Sequence, residues 1–477
     1  KIEKVSTNPK NKPKAIVEKF YYPKSQKTEQ NQEQKQEKPP EPIDDQDFHL
    51  KVKFNKTTIT DPSNDLNYQL NRTLGEGTFG KVYKTTCLET KDILAIKVIK
   101  SEQRYVDSAR LEIKVLEKIN QLDVRNRFHC IELMDHFECL GHPCLIFPIL
   151  GKSTYDFQKT NDYRPFKFSQ IRVMSFQLLQ AVNFLHKTCK LTHTDLKPEN
   201  ILFIDDSYDE ITSPNSGKTL KLVRRCDIKL IDFGSATFEY EQKTKIVATR
   251  HYRPPEVILE LGWSYPLDIW SIGCIIFEWY MGLCMFQTHS NIEHLAMMEK
   301  ILGIFPDRII ERSRRAYKFF KERDSSDLQS SLSAQELCNN NPSNDKHHSN
   351  YQVDFNFNSS EAKYVRENCR PLYQDNQMKS DYEHRNMFHL IRVMLDYDAK
   401  RRITCEEALS HRFFKLLEKD RPYIRSSAEI KKTARTLGET NLETESITKP
   451  QNKTNQQTLA DFIKQETANR LQQKFSQ

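Results

Sequence analysis

Long apolar runs are missing from this chain. No stretch approaches the roughly 20 apolar residues that a membrane-spanning helix needs. Lys1 to Phe20 holds no apolar signal core, so neither a membrane span nor a secretory leader is read here. The sequence opens on Lys1 and not on Met, as a fragment with residues upstream would. No C-x-x-C pair occurs among the eleven cysteines. They are scattered, several inside apolar runs such as the one around Cys274, and read as reduced, mostly buried thiols of a cytosolic or nuclear protein; a zinc site is not supported. A large charge excess is missing too. A net charge of +8 with pI near 8.7 is mild for 477 residues and does not argue for a nucleic-acid-binding domain. Apolar residues make up only 37% of the chain and mean hydropathy is −0.73, so sizeable solvated segments must accompany any folded domain.

Those segments can be placed. Residues 1–47 are rich in Lys, Gln, Glu and Pro, bury too little to offset chain entropy, and are expected to form a disordered tail. Lys10 to Lys14 within it reads as an ordinary solvated run, with a part in nuclear import as the alternative. From Tyr68 the texture changes. Tyr68 to Leu74 and Lys81 to Cys87 read as strands around a glycine turn, and Ile93 to Ile99 as a third strand. Tyr105 to Asn120 carries a helical stripe at Leu111, Val115, Leu116 and Ile119. Strand-like runs follow at Ile131 to Phe137 and Cys144 to Ile149. Thereafter the pattern is mainly helical, over Gln170 to His186, Leu267 to Met281, Ile292 to Leu302, Arg385 to Leu395 and Cys405 to Leu409. Strands first and helices afterwards predict an α+β fold with a small sheet-rich lobe and a larger helical one. The expected domain spans residues 48–420, its lobes dividing near 150, with polar inserts at 205–225 and 322–360, the longer a mobile excursion, and a polar C-terminal tail at 421–477. Near the end, Leu459, Phe462, Ile463, Leu471 and Phe475 read as an incidental marginal helix, with a partner-binding helix as the alternative.

The chemistry is concentrated in short motifs. His193, Asp195, Lys197 and Asn200 place a carboxylate, an ammonium and an amide at the spacings phosphoryl transfer uses. Gly75 to Val82 matches G-x-G-x-x-G-x-V, in which glycines let the backbone approach phosphate oxygens and offer amide hydrogens. It lies between two strand-like runs with no helix following, unlike a dinucleotide turn. Lys97, at the end of the third strand, needs a carboxylate against desolvation, and Glu112 on the next helix is the candidate. Asp232, before Phe233 and Gly234, supplies a metal-binding carboxylate that with Asn200 would hold Mg²⁺ ions bridging phosphates. Asp195 would orient and deprotonate an acceptor hydroxyl, with Lys197 against the γ-phosphate. Thr249, seven residues before Glu256, would bridge Asp195 and Lys197. Arg402 is the expected buried partner of Glu256, and Asp268 would brace the catalytic loop through hydrogen bonds.

In this order and at these spacings the motifs resemble the eukaryotic protein kinases across about Tyr68 to Leu417. Within them, Glu293 to Gly303 resembles the segment that names the LAMMER, or CLK-type, dual-specificity kinases. Leu191 to Asp195, Asp232 to Phe238, Thr249 to Arg253 and Tyr364 to Cys369 are similar to that family as well. Leu295, Met298, Ile301 and Leu302 have core-helix spacing, so the naming segment reads as scaffold. The resemblance implies a two-lobed kinase fold with Asp195, Lys197, Lys97, Glu112 and Thr249 in catalysis and Asn200 and Asp232 on the metal. It implies ATP and Mg²⁺ as cofactors, Mn²⁺ as a substitute, and a nucleotide held by Leu74, Gly75, Glu76, Gly77, Thr78, Phe79, Gly80, Lys81, Val82, Ala95, Lys97, Phe147, Pro148, Leu150 and Leu202. It further implies a monomer that phosphorylates Ser and Thr of proteins, autophosphorylates on tyrosine, and acts on arginine/serine-rich splicing factors. The nucleus is the expected location with the cytoplasm second, and neither nucleic acid nor membrane is an expected partner.

Departures from the family pattern sharpen these expectations. Lys300 stands where the motif has Arg, and Pro254 stands where Ala is usual; both are tolerable. Pro148 follows the gatekeeper Phe147 where the family usually carries Glu. It lacks an amide hydrogen but keeps the carbonyl that adenine's amino group needs, and Leu150 still offers an amide, so ATP binding should survive. The visible tail lacks Arg-Ser repeats and residues 322–360 exceed the usual insert, which weakens the splicing-factor reading relative to catalysis. Thr194 replaces the Arg that clamps an activation-loop phosphate in many kinases. A hydroxyl cannot make that bidentate contact, so activity is expected not to require loop phosphorylation. A pseudokinase scaffold is the alternative class, yet Lys97, Glu112, Asp195, Asn200 and Asp232 are all present. A sister class activated through Tyr-x-Tyr is not supported, because the segment reads Ala248 to Tyr252 with a single tyrosine. Gln456 to Ile463 faintly resembles a sliding-clamp-binding peptide without its second aromatic.

Overall fold

The computed structural model describes residues 48–212, 219–323, 349–359, 362–372 and 382–423. The expectations placed on residues 1–47, on 424–477 and on the middle of the longer insert lie outside them, including the basic cluster at Lys10 to Lys14 and the helix near Leu459. The main sheet is antiparallel throughout. Its strands are β1 (Thr58–Thr60), β2 (Asn67–Glu76), β3 (Gly80–Cys87), β4 (Ile93–Ile99), β5 (Asp135–Cys139) and β6 (His142–Pro148), ordered β1-β2-β3-β4-β6-β5. Side chains alternate faces along a strand. In β4 this sends Ile96 and Val98 into a small core with Tyr68, Leu70, Tyr83 and Ile146, and Ala95 and Ile99 to the opposite face. Lys97 shares that second face by register, and helix α1 (Gln103–Leu122) covers it.

Two sequence expectations change here. Leu111 was expected in the apolar stripe of α1 but is 57% exposed. The buried line runs through Val106, Ala109, Glu112, Val115, Leu116 and Ile119, and the 100° step between neighbours turns Leu111 outward when Glu112 points in. The strand expected over Ile131 to Phe137 starts only at Asp135. Cys130, Ile131 and Leu133 are buried without a ladder, because the Ile131 amide donates to the Leu230 carbonyl at 2.9 Å and so ties this segment to the helical lobe.

The larger lobe begins with α2 (Thr154–Thr160) and α3 (Phe168–Phe184), which ends in a π turn over Leu185–Cys189. Short strands follow: β7 (Leu191–Thr192), β8 (Ile201–Phe203), β9 (Tyr208–Thr212), β10 (Thr219–Val223), β11 (Ile228–Leu230) and β12 (Thr237–Phe238). β8 pairs with β11 and β7 with β12, which sets the loop carrying Asp195 beside the loop carrying Asp232. The first polar insert is not loop alone: β9 and β10 form a hairpin whose Lys221 backbone is held from both sides by the Asn161 side chain, each bond 2.9 Å. Helices α4 (Pro255–Ile258), α5 (Pro266–Met281) and α6 (Asn291–Leu302) build the core, α6 burying Leu295, Met298, Ile301 and Leu302. Beyond it, Phe320–Glu322 pairs with Tyr351–Val353, and the Val353 amide donates to Glu299 of α6 at 3.0 Å. Helices Tyr382–Met394 and Cys405–Leu409 complete the lobe, the second started by a Thr404–Glu407 capping box. The described cysteines are free thiols, buried everywhere except at Cys139 and Cys284.

Candidate active site

The alternation of β4 and the stripe of α1 aim Lys97 and Glu112 at each other. Lys97 Nζ lies 2.7 and 2.8 Å from the two Glu112 oxygens and 3.5 Å from Asp232 Oδ1. Burial alone would lower the ammonium's pKa, but the Glu112 and Asp232 charges more than offset it and the net shift is upward. Lys97 therefore stays a cation. Asp232 sits at φ +63°, in the left-handed region that Asp enters more readily than most L residues. Its side chain is 38% exposed, the most open member of the group.

The catalytic loop is held from beneath by Asp268, which is fully buried in α5. Its carboxylate accepts from the His193 amide at 2.8 Å and the Thr194 amide at 3.0 Å, and pairs with His186 Nε2 at 2.9 Å. Thr194 is left-handed at φ +72°, and its hydroxyl donates to the Ser235 carbonyl at 2.9 Å. These bonds present Asp195. One carboxylate oxygen meets Lys197 Nζ at 2.5 Å; the other accepts from the Thr249 hydroxyl at 2.6 Å and amide at 3.1 Å. Lys197 also reaches Thr249 at 3.4 Å. Burial alone would raise the Asp195 pKa; the bonds from Lys197 and Thr249, with the Lys197 charge, outweigh it and the net shift is downward. Asp195 is thus ionised and ready to accept a proton. Asn200 Nδ2 donates to the Asp195 carbonyl at 2.9 Å, which leaves its Oδ1 for another partner.

The glycine loop joins β2 to β3. A Cβ added at Gly75 or Gly77 would meet nothing within 4 Å, so both border open space of the kind a phosphate chain needs. Gly80 is glycine for another reason, since a Cβ there would lie 2.2 Å from the Val98 carbonyl oxygen. Leu74, Glu76 and Thr78 are exposed, Lys81 pairs with Glu76 at 3.3 Å, and Phe79 turns down edge-on to Tyr105 with centroids 6.0 Å apart. Val82 is half-buried opposite Lys97 in the β3–β4 register. At the back, Ala95 pairs with the buried Phe147 and Leu94 with Pro148, while Leu150 and, on β8, Leu202 are half-buried. Below the activation segment, Arg402 grips Glu256 with bonds of 2.7 and 2.9 Å. Sequence reasoning missed His186 and Ser235. His186 lies 82 residues from Asp268, and no local pattern links them.

Asn200 Oδ1 and the Asp232 carboxylate are hard oxygen donors in one crevice, the donor type Mg²⁺ takes. Together, fold and site define a protein kinase domain, and the protein kinase domain family matches residues 68–414. A crystal structure of another kinase domain, 32% identical, aligns with a TM-score of 0.62 over 77% of this chain and 99% of its own. Dual specificity protein kinase CLK2 of Homo sapiens is 45% identical over 358 residues, which cover 74% of this chain and 65% of that protein. Dual specificity protein kinase CLK4 of Homo sapiens is 44% identical over 355 residues, 74% of this chain and 67% of that one. Serine/threonine-protein kinase Doa of Drosophila melanogaster is 44% identical over 347 residues, 73% of this chain and 39% of Doa. The chain belongs to the protein kinases and, within them, to the LAMMER, or CLK-type, family. It spans just under two thirds of the length of CLK2.

Proposed function

We propose that this chain transfers the γ-phosphoryl group of ATP to Ser and Thr hydroxyls of proteins and phosphorylates itself on tyrosine. The observation that carries this is Asp195, ionised between Lys197 and Thr249, in one cleft with Lys97, Glu112 and Asp232. Asp195 accepts the proton of the acceptor hydroxyl as its oxygen bonds to the γ-phosphorus and the bond to the β–γ bridging oxygen breaks, releasing ADP. Such proton transfer contributes on the order of 10²–10⁴ in rate. Lys97 would orient the phosphates while Glu112 holds its ammonium in place. Asn200 and Asp232 would hold Mg²⁺, or Mn²⁺ in its stead, which neutralises phosphate charge. Thr194 offers a loop phosphate no guanidinium, and the chain is proposed to work as a monomer without loop phosphorylation.

The proposed substrates are arginine/serine-rich splicing factors, met mainly in the nucleus. Glu199 supports an arginine near the acceptor. It is exposed beside Lys197, and partial removal from water, with the Asp195 and Asp156 charges adding to it, raises its pKa. A basic side chain there would relieve that crowding. Phosphorylation of an arrayed peptide library tests this reading: serines flanked by arginine should be preferred at least about tenfold, a preference Glu199→Gln should reduce. Equal use of acidic and basic flanks would sink the substrate assignment while leaving catalysis standing.

A further inference from the structure

The run that follows α6 is strongly basic. From Asp307 to Lys318 it carries five cations, Arg308, Arg312, Arg314, Arg315 and Lys318, against the two acids Asp307 and Glu311. None of them takes part in the contacts of the catalytic cleft. Successive turns fix the backbone, with the Ser313, Ala316 and Phe319 amides donating to the Ile310, Ser313 and Ala316 carbonyls at 3.0, 3.2 and 2.9 Å. Ser313 is buried and its hydroxyl donates to the Leu259 carbonyl at 2.8 Å, while Arg315 pairs with Glu260 at 2.6 Å. The run is thereby fastened to the chain just after α4 and presents its remaining cations from a rigid base.

Those cations are not neutralised. Arg312, Arg314, Lys318 and Lys400 are all exposed, and among the described residues they form no ion pair. Arg312 and Lys400 line one notch together with Leu261, Gly262, Glu256 and Asp398. Gly262 has φ +81°, and a Cβ there would meet nothing within 4 Å, so the notch opens to solvent beside it. Its two carboxylates are already engaged. Glu256 is gripped by Arg402, and Asp398 accepts from Arg308 Nε and from the Lys400 amide, both at 3.1 Å. Asp307 is likewise held, by the Ser349 hydroxyl and the Asn350 side chain, and Glu311 is exposed. The balance left facing water is positive, which draws anions.

We propose that this surface binds phosphoserine in the chain's own protein products, one phosphate lying between Arg312 and Lys400 and a neighbouring one reached by Arg314. Guanidinium forks match phosphate oxygens in pairs, and a dianion suits two cations across one notch better than a single carboxylate does. The occupant follows from charge complementarity with what catalysis makes, since each transfer turns a neutral hydroxyl into an anion. A serine-rich substrate phosphorylated once would then be retained for the next transfer. The source of the partner rests on the kinase reading above. The test needs no turnover, so it fails separately from that reading.

Fluorescence anisotropy would follow a labelled Gly/Ser peptide with two phosphoserines, its unphosphorylated form and a form with glutamate in their place. Each would be titrated with the parent chain, with Arg312→Glu combined with Lys400→Glu, with Arg314→Glu, and with Lys56→Glu in the other lobe as control. The phosphorylated peptide should bind the parent at least about tenfold more tightly than the other two. The double variant should abolish that preference, and Arg314→Glu should weaken binding about threefold, deciding the matter if the double variant does not fold. Lys56→Glu should shift affinity by less than about twofold, and added salt should weaken binding to the parent. Turnover of a short unphosphorylated peptide should stay within about twofold of the parent in every variant. Equal binding of the phosphorylated and unphosphorylated peptides overturns the proposal, as does a preference that survives in the charge-reversed variants. Glutamate binding as tightly as phosphoserine overturns it in favour of an acidic protein partner.

Discussion

The Lys97–Glu112 pair in the cleft and the Arg402–Glu256 pair beneath the activation segment carry the same charges in different surroundings. Arg402 is fully buried and Glu256 is 3% exposed; they meet fork to fork. The guanidinium's other donors bond the Asp396 and Pro266 carbonyls, and its face lies 5.1 Å from the Trp270 ring centre. That pair is saturated and can only hold. Lys97 retains 15% exposure and a third, looser contact at 3.5 Å to Asp232, whose own side chain is 38% exposed. That pair is satisfied enough to stay ionised and open enough to take a ligand. The difference separates a brace from a working part more clearly than burial does.

The comparison can be broken by removing one cation from each pair. Arg402→Met leaves Glu256 buried and unpaired and should cost about 3–5 kcal/mol of stability, read as a lower urea midpoint. Adding Glu256→Leu should restore most of it, and failure to do so would contradict the saturated-brace account. Lys97→Met should act mainly on rate, lowering kcat/KM by about 10²–10³. Its urea midpoint should fall by less than that of Arg402→Met, because Lys97 is itself 15% exposed and shortening it opens Glu112 to water from the cleft, whereas Arg402 has no exposed side-chain surface. Equal losses of stability in the two variants would erase the distinction.

Smaller effects sharpen it. Thr249→Val removes a hydroxyl bond to a charged oxygen and should reduce kcat by about tenfold. It should also move the acid limb of the pH profile upward. The parent's depressed Asp195 pKa keeps the carboxylate ionised until the pH drops through that low value, and losing the hydroxyl lets it rise. An acid limb that stays put would show that Thr249 does not tune Asp195. The mildest test concerns Glu278, whose pKa is pushed up to about 7 by burial first, against the lowering bond from the Tyr252 hydroxyl. A raised carboxyl pKa contributes stability that is full below the ordinary 4.5 and lost as pH climbs through about 7. Glu278→Gln should therefore flatten the fall in melting temperature over that window. Parallel pH curves for the two chains would contradict this.

Most of the cleft was legible in the sequence because its groups sit in short contiguous motifs, so Asp195, Lys197 and Asn200 share one loop and Asp232 the neighbouring one. Their meeting follows from pairings of only two or three residues, β7 with β12 and β8 with β11. What escaped was of two kinds. Some of it depends on exact phase: hydrophobicity alone assigns Leu111 inward, whereas the helix turns Glu112 in. The rest depends on contacts between distant segments or on backbone conformation. The Asp268–His186 bond spans 82 residues, and the positive φ of Ala248 has no signature in an alanine. β1 is only three residues long, and the β9–β10 hairpin hides in a polar stretch with little alternation to mark it.

The account stands on Asp195 as an ionised proton acceptor in a nucleotide-binding cleft. The most direct measurement is transfer of labelled γ-phosphate from Mg-ATP to a protein substrate by the parent chain and by Asp195→Asn, with nucleotide affinity measured on both. Transfer should fall by at least about 10² in the variant while affinity stays within about threefold. Equal transfer by the two chains, or none by a parent that binds Mg-ATP, would contradict it.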